Sequence, residues 1–270
     1  MITIFLKIWP LLVIELLNLD LCLAGFFFTL LILWSGVGAG ILVIPSLVAV
    51  FHIEPIVAIA SGSAFAFISK IMMTIGHAQQ GSIDWRAACS FLRVCLPITL
   101  VTAISMVYLS NNHRGIILEF CLIIAILLTG CLALSALLST RVKSIISHWP
   151  MITMSGTIGL LMGLTGVGGG VMVVPALTTS GGLTIKVAVA TSIPIGLILS
   201  LAVSVTLGSS GLIDYALVTS LLIGAAVAIP LGTGLFHRFS ANFIQHLTCG
   251  LISVALIDLT LEALELFKNL

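Results

Sequence analysis

Long apolar runs separated by short polar stretches fill almost the whole chain. They lie at Leu21–Val50, Pro55–Gly76, Ala87–Leu109, Gly115–Leu138, Ile152–Thr178, Thr184–Leu207, Tyr215–Phe236 and Phe243–Ile257. A hydrocarbon core about 30 Å thick is crossed by roughly twenty residues of α-helix, so these runs predict membrane-spanning helices. They are continuous rather than alternating, which excludes an outer-membrane barrel. Polar residues collect in the connections His52–Glu54, His77–Arg86, Ser110–Arg114, Ser139–Trp149, Ser180–Gly182, Gly208–Asp214 and His237–Asn242. The stretch Ile2–Leu17 contains Lys7, Pro10 and Glu15 and reads either as a poor first span or as an interfacial helix. It has no small-residue cleavage site of the kind a signal peptide needs. The predicted fold class is all-α: a polytopic membrane helix bundle of about 8 transmembrane helices in two repeated halves, with Gly/Pro-broken helices.

Composition agrees. Hydrophobic residues make up 60% of the chain and charged residues only 7%, against about 25% charged in a soluble domain. Most of the surface must therefore face lipid. A net charge of +1 leaves no basic stripe for nucleic acid and no acidic solvating tail. Cys22, Cys89, Cys95, Cys121, Cys131 and Cys249 form no CxxC pair and read as small apolar residues in the membrane.

The chain resembles itself. Gly36-Val-Gly38-Ala-Gly40 leads through four apolar residues to Pro45, and Gly166-Val-Gly168-Gly169-Gly170 leads likewise to Pro175. The same offset of 130 residues carries Ala58-Ile-Ala60-Ser61 onto Ala188-Val-Ala190-Thr191, and Gly81-Ser-Ile-Asp84-Trp85 onto Gly211-Leu-Ile-Asp214-Tyr215. Matched Gly, Pro and Asp positions do not follow from apolar composition. The expected organisation is a first membrane repeat over residues 1–140 and a second over 150–270, and Gly/Pro-interrupted segments at matching places in two halves are a mark of secondary transporters. Four crossings per half would make the halves parallel. A Gly-Pro segment that turns back would make them inverted.

Gly disfavours a helix interior by about 1 kcal/mol and Pro by about 3 kcal/mol. A segment rich in both at membrane depth is either unwound around a cavity or packed closely through small residues in the manner of GxxxG. In the first case, amides at the start of the resumed helix suit an anion. The candidate substrate contacts are Gly36, Gly38, Gly40, Pro45 and Ser61 in the first half. In the second half they are Gly166, Gly168, Gly169, Gly170, Pro175, Thr191 and Ser192. Ser63 is a further hydroxyl of the same group, although such hydroxyls commonly bond carbonyls of their own helix. Gly81 and Gly211 are expected to close turns, with Asp84 and Asp214 capping the helices that follow and Trp85 and Tyr215 at the interface. Lys70, deep in an apolar run, is functional by default unless it snorkels to the nearby end. Its counterpart at the 130-residue offset is Ser200.

These motifs, Gly-x-Gly-Gly-Gly to Pro, Ala-Val-Ala-Thr-Ser and Gly-x-Ile-Asp-aromatic, resemble the sulfite exporter TauE/SafE family of membrane transporters. The second half matches best, from Gly163 through Tyr215 to Gly232, Gly234, His237 and Arg238. The first half departs from the pattern at Ala39 and at Ala60-Ser-Gly-Ser. The resemblance implies a multi-pass protein of the bacterial inner membrane that moves a small anion, often a sulfur-containing oxyanion such as sulfite or a sulfonate. The fuller second half is expected to supply more of the anion site.

The expected partners are a small anion substrate and the lipid bilayer, with no nucleic acid and with room for a homodimer. Neither catalytic residue, metal nor cofactor is called for. Two other readings compete with this one. An intramembrane serine protease would use Gly208-Ser-Ser210-Gly211 with His237 or His246, and a noncatalytic assembly factor would need longer loops than the chain has. An alternating eight-span count places Arg86, Arg141, Lys143 and Lys268 on one side, taken as cytoplasmic, and Arg114, Lys186 and Arg238 on the other.

Overall fold

The computed structural model describes residues 18–35, 39–112, 116–138, 149–166, 172–179, 181–235, 249–250, 253–254, 256–257, 259–261 and 263–264. Among them every regular element is a helix. The helices are α1 Leu19–Ser35, α2 Ala39–Ala49, α3 Pro55–Gln79, α4 Trp85–Asn112, α5 Ile116–Leu138, α6 Met151–Thr165, α7 Val173–Thr179, α8 Ile185–Gly208 and α9 Tyr215–Leu235. The stretch 249–264 contributes further helical turns. Ile2–Leu17 lies outside the described residues.

An apolar exterior makes this a membrane bundle. Val101, Ile104 and Tyr108 of α4, Val205 of α8 and Val227 of α9 all point outward, where water would penalise them and lipid does not. The segments Pro55–Gln79, Trp85–Ser110 and Val187–Gly208 are long and apolar enough to cross a bilayer, and the first and third are mostly enclosed by protein. Thus α3 and α8 form the centre. The six cysteines are free, with Cys89, Cys121 and Cys131 on the exterior and Cys95 and Cys249 buried.

The first long run of each half is not a single helix. The first divides into α1, of 17 residues, and α2, of 11. The second divides into α6, of 15 residues, and α7, of 7. At 1.5 Å per residue α2 and α7 reach only about 16 Å and 10 Å. The divisions fall at the glycine clusters. Pro45 lies inside α2 and Pro175 inside α7.

Helix directions follow from three hydrogen bonds between the central elements. Ser61 Oγ accepts the Asp214 amide at 2.9 Å, Lys70 Nζ donates to Ser200 Oγ at 3.3 Å, and Thr191 Oγ1 accepts the Asp84 amide at 2.9 Å. Numbers rise along α3 while they fall along α8, so the two helices are antiparallel. The first and third bonds interconvert under a shift of 130 residues in both partners, and the middle one maps onto itself. That is the signature of a two-fold axis perpendicular to α3 and α8 at Lys70–Ser200. Backbone turns obey the same shift: φ is positive at His52 and Gly182, and at Gly81 and Gly211.

The path of α7 then follows. Gly159 of α6 stands against Cys95 of α4, and Gly163 against Thr99, so α6 and α4 run the same way. The chain reverses between α3 and α4, so α4, α6 and α8 share one direction. To join α6 to α8, α7 must run back between them. Its turn into α8 is closed by Leu183 N donating to Leu177 O at 3.1 Å, with Gly182 at φ +66°. The start of α8 at Lys186 therefore lies at the same end as Arg86 on α4, where strict alternation of eight spans had set them on opposite sides.

Candidate functional site

The Gly-Pro break of the second half opens at Gly166. This residue caps α6 in the left-handed region, at φ 64°, and its amide bonds the Met162 carbonyl at 2.9 Å. A β-carbon there would stand 2.6 Å from Ile44 Cδ1, 3.0 Å from Ser63 Oγ and 3.2 Å from Ile59 Cγ2. The glycine turn of one half therefore presses onto α2 and α3 of the other. Ile44 also lies close to Gly62, where an added β-carbon would meet Ile44 Cγ1 at 2.9 Å. Ser63 lies eight residues into α3, about 12 Å from its start, well within the bilayer.

Ser63 is buried, and its hydroxyl has no hydrogen-bond partner among the described residues. Buried polar groups are nearly always paired, so an orphan facing a helix break marks a place where something polar belongs. Ser69 Oγ and Thr74 Oγ1 of the same helix are also buried and unpartnered.

The sequence candidates separate into distinct places. Gly166 lies at the break with Ser63. Gly40 and Pro45 are buried within α2, beside Ile44. Pro175 belongs to α7, and its side chain is outside the described ones. Gly36, Gly38, Gly168, Gly169 and Gly170 lie outside the described residues. Ser61 and Thr191 sit nine residues before Lys70 and Ser200 on antiparallel helices, so about 27 Å separates them along the axis. No single small anion bridges them. Each hydroxyl accepts the amide of the aspartate that opens a helix in the other half. Ser192 Oγ donates to its own helix at Val189 O, 2.8 Å away.

The aspartates do what their spacing implied. Asp84 Oδ1 accepts from Ala87 N at 2.9 Å, and Asp214 Oδ1 accepts from Ala216 N at 2.9 Å and Leu217 N at 3.1 Å. Trp85 and Tyr215 are exposed beside them. Removing a buried hydroxyl that accepts such an amide costs about 1–2 kcal/mol. Ser61→Ala and Thr191→Val should each lose that much in thermal unfolding of the purified protein. The double variant should lose the sum within about 0.5 kcal/mol, because the sites are far apart. A loss confined to one variant would contradict the reciprocal bracing.

Lys70 does not snorkel. It is 5% exposed and its ammonium turns across to α8. Ser210, the nucleophile of the protease reading, lies in the turn between α8 and α9, with its amide bonded to Leu207 O at 3.2 Å. His237 and His246 are outside the described residues.

Sequence reasoning had grouped Ser63 with the other hydroxyls but missed Ser69 and Thr74, and it treated Ser200 only as the counterpart of Lys70. One signal was available. Ser63, Lys70 and Thr74 are spaced by seven and four residues, which places them on one stripe of a helix.

An all-helical, lipid-facing bundle with central helices inverted about a two-fold axis has the architecture of many membrane transporters. Comparison with known proteins agrees and is more specific. The family model for the Sulfite exporter TauE/SafE matches residues 21–259, and the chain belongs to this family. A Bacillus subtilis (strain 168) protein named "Probable membrane transporter protein YjnA" is 24% identical over 251 residues, covering 88% of this chain and 98% of that protein. No solved structure matches the chain.

Proposed function

We propose that this chain is a secondary transporter of a small anion, a sulfur-containing oxyanion such as sulfite or an organosulfonate, in the bacterial inner membrane. One observation carries the reading: the break at Gly166 faces an unpartnered buried hydroxyl, Ser63, inside the membrane. Hydrocarbon tolerates interrupted backbone only where it lines a cavity or is covered by protein. The sulfur oxyanion is the substrate class named in the family's description.

In this reading the chain divides into halves at residues 1–140 and 150–270 that exchange places about the Lys70–Ser200 axis. The glycine turns, with Pro45 and Pro175 in the short returning helices, approach the substrate through their backbone. Ser61 and Thr191 act as positioning residues that brace each half against the helix start of the other, and Ser192, beside Thr191, bonds its own helix at Val189 O. The end bearing Arg86 and the start of α8 is cytoplasmic.

The test is flux in proteoliposomes of the full chain. Labelled sulfite, thiosulfate, a simple sulfonate and sulfoacetate are offered in turn. Saturable flux of at least one, absent from protein-free vesicles, is the expected result. No flux of any would sink the anion reading.

A further inference from the structure

We propose that Lys70 builds an anion-binding site at the bilayer midplane. There a small oxyanion neutralises its ammonium and collects the unpartnered hydroxyls of α3. The inference rests on the anion-transport reading and adds a site that the glycine turns do not supply.

The position comes first. An axis that inverts α3 onto α8 lies in the membrane plane, so Lys70 and Ser200, which meet on it, lie at half depth. Charge is most expensive there, and an ionisable residue retained at such depth marks a binding or transport site. Ser200 does not neutralise it. Its hydroxyl hydrogen goes to the Gly196 carbonyl of its own helix, leaving only its oxygen to accept from the Lys70 ammonium. The ammonium's two other N–H groups have no partner among the described residues, and no described carboxylate approaches it. Asp84 and Asp214 are occupied as caps at the ends of the bundle, and Asp20 and Glu54 are exposed.

The same helix carries further donors without acceptors. Thr74 follows Lys70 by one turn on the same stripe, Ser69 is its neighbour, and both hydroxyls are buried without partners. Two spare ammonium hydrogens and two spare hydroxyl hydrogens lack one thing, an acceptor carrying negative charge. A compact oxyanion supplies it, whereas a cation would be repelled and an apolar ligand would leave every donor unpaired. Ser63 stands on the same stripe about 10 Å away, at the Gly166 turn. An anion leaving that turn along α3 therefore meets Lys70 next.

The axis also accounts for the inequality of the two copies. A residue on a two-fold axis touches its own counterpart, so lysine in both halves would set two ammoniums side by side, and like charges at that distance repel strongly. Lysine in one half and serine in the other gives a single charge and a single site.

The experiment uses the full chain in detergent and in proteoliposomes, with sulfite as probe in a gluconate buffer. Sulfite should raise the melting temperature of the wild type. Lys70→Met should abolish that shift, melt no lower than the wild type without sulfite, and lose flux by about 100-fold, the loss of two charge-assisted hydrogen bonds. Lys70→Arg, which keeps the charge, should hold flux within about tenfold. A Lys70→Met protein whose sulfite shift and flux stay within about twofold of wild type overturns the proposal, as does one that loses flux while keeping the shift. If Lys70→Met fails to accumulate, Ser69→Ala with Thr74→Val decides. An approximately tenfold weaker sulfite Kd supports the site, and an unchanged Kd overturns it. Wild-type protein with neither shift nor flux for any anion defeats the transport reading itself. Wild-type flux with an indifferent Lys70 defeats only this site.

Discussion

Proteoliposomes carrying Gly166→Leu are expected to lose sulfite flux by at least about 100-fold while the protein still inserts in the membrane. Two penalties act together. The residue sits at φ 64°, and the left-handed region costs a side chain with a β-carbon about 1–2 kcal/mol. That β-carbon would also stand 2.6 Å from Ile44 Cδ1 and 3.0 Å from Ser63 Oγ. Ile44 also packs closely on Gly62, where an added β-carbon would stand 2.9 Å from its Cγ1. The rest of a leucine would fill the space before the Ser63 hydroxyl. Insertion depends on the apolar runs, which the substitution leaves intact. Gly166→Ala, with the same backbone penalty and less bulk, should lose about tenfold. Flux normalised to inserted protein makes the measurement, and normal flux in the leucine variant would remove Gly166 from the site.

The largest stability effect is expected at the contact of α1 with α9. Gly25 lies against the Leu221 backbone, and Gly224 against the Cys22 carbonyl and the Phe26 amide. Any β-carbon at either position overlaps main chain, which cannot rotate aside as a side chain can. Helices in lipid have little hydrophobic drive to associate, so close backbone approach through small residues is what binds them. Overpacking a core costs about 1–3 kcal/mol, and forcing two backbones apart should exceed that range. Gly25→Leu and Gly224→Leu are each expected to lose more than about 3 kcal/mol in thermal unfolding and to accumulate poorly. Gly76 is the control. Nothing stands within 4 Å of its β-carbon position, so Gly76→Ala should be neutral or gain up to about 1 kcal/mol from helix propensity. Equal behaviour of the Gly76 and Gly224 variants would contradict the packing.

Much of this was legible along the chain because it depends on local rules. Apolar runs of membrane length became helices. Gly81 and Gly211 became turns with positive φ, and Asp84 and Asp214 became caps, since each needs only its near neighbours. Gly166 ends its helix in the left-handed region for the same local reason. The roles of Pro45 and Pro175 were less legible. Both sit within short helices, because proline's missing N–H and ring affect the preceding turn and leave the following residues free to coil.

The partners of the hydroxyls were not legible. Ser61 and Thr191 read alike as anion contacts, and local bonding was the rival reading. Their oxygens accept amides 153 and 107 residues away, a match that no local pattern encodes. The snorkelling alternative for Lys70 failed similarly. Its ammonium found an acceptor 130 residues distant, on a helix that the sequence could not place beside it.

The sequence by itself therefore determined an all-helical membrane chain, a 130-residue offset between matching motifs, and the points where helices break, turn and begin. These follow from hydropathy, backbone preference and capping, all short-range. Tertiary structure alone decided that α7 runs back, that α3 and α8 lie antiparallel, and that Lys70 meets Ser200. Hydropathy is blind to direction, since an apolar helix is equally soluble in lipid whichever way it points. Only packing of glycine against backbone, and the need to pair buried amides and hydroxyls across the two halves, selects one arrangement.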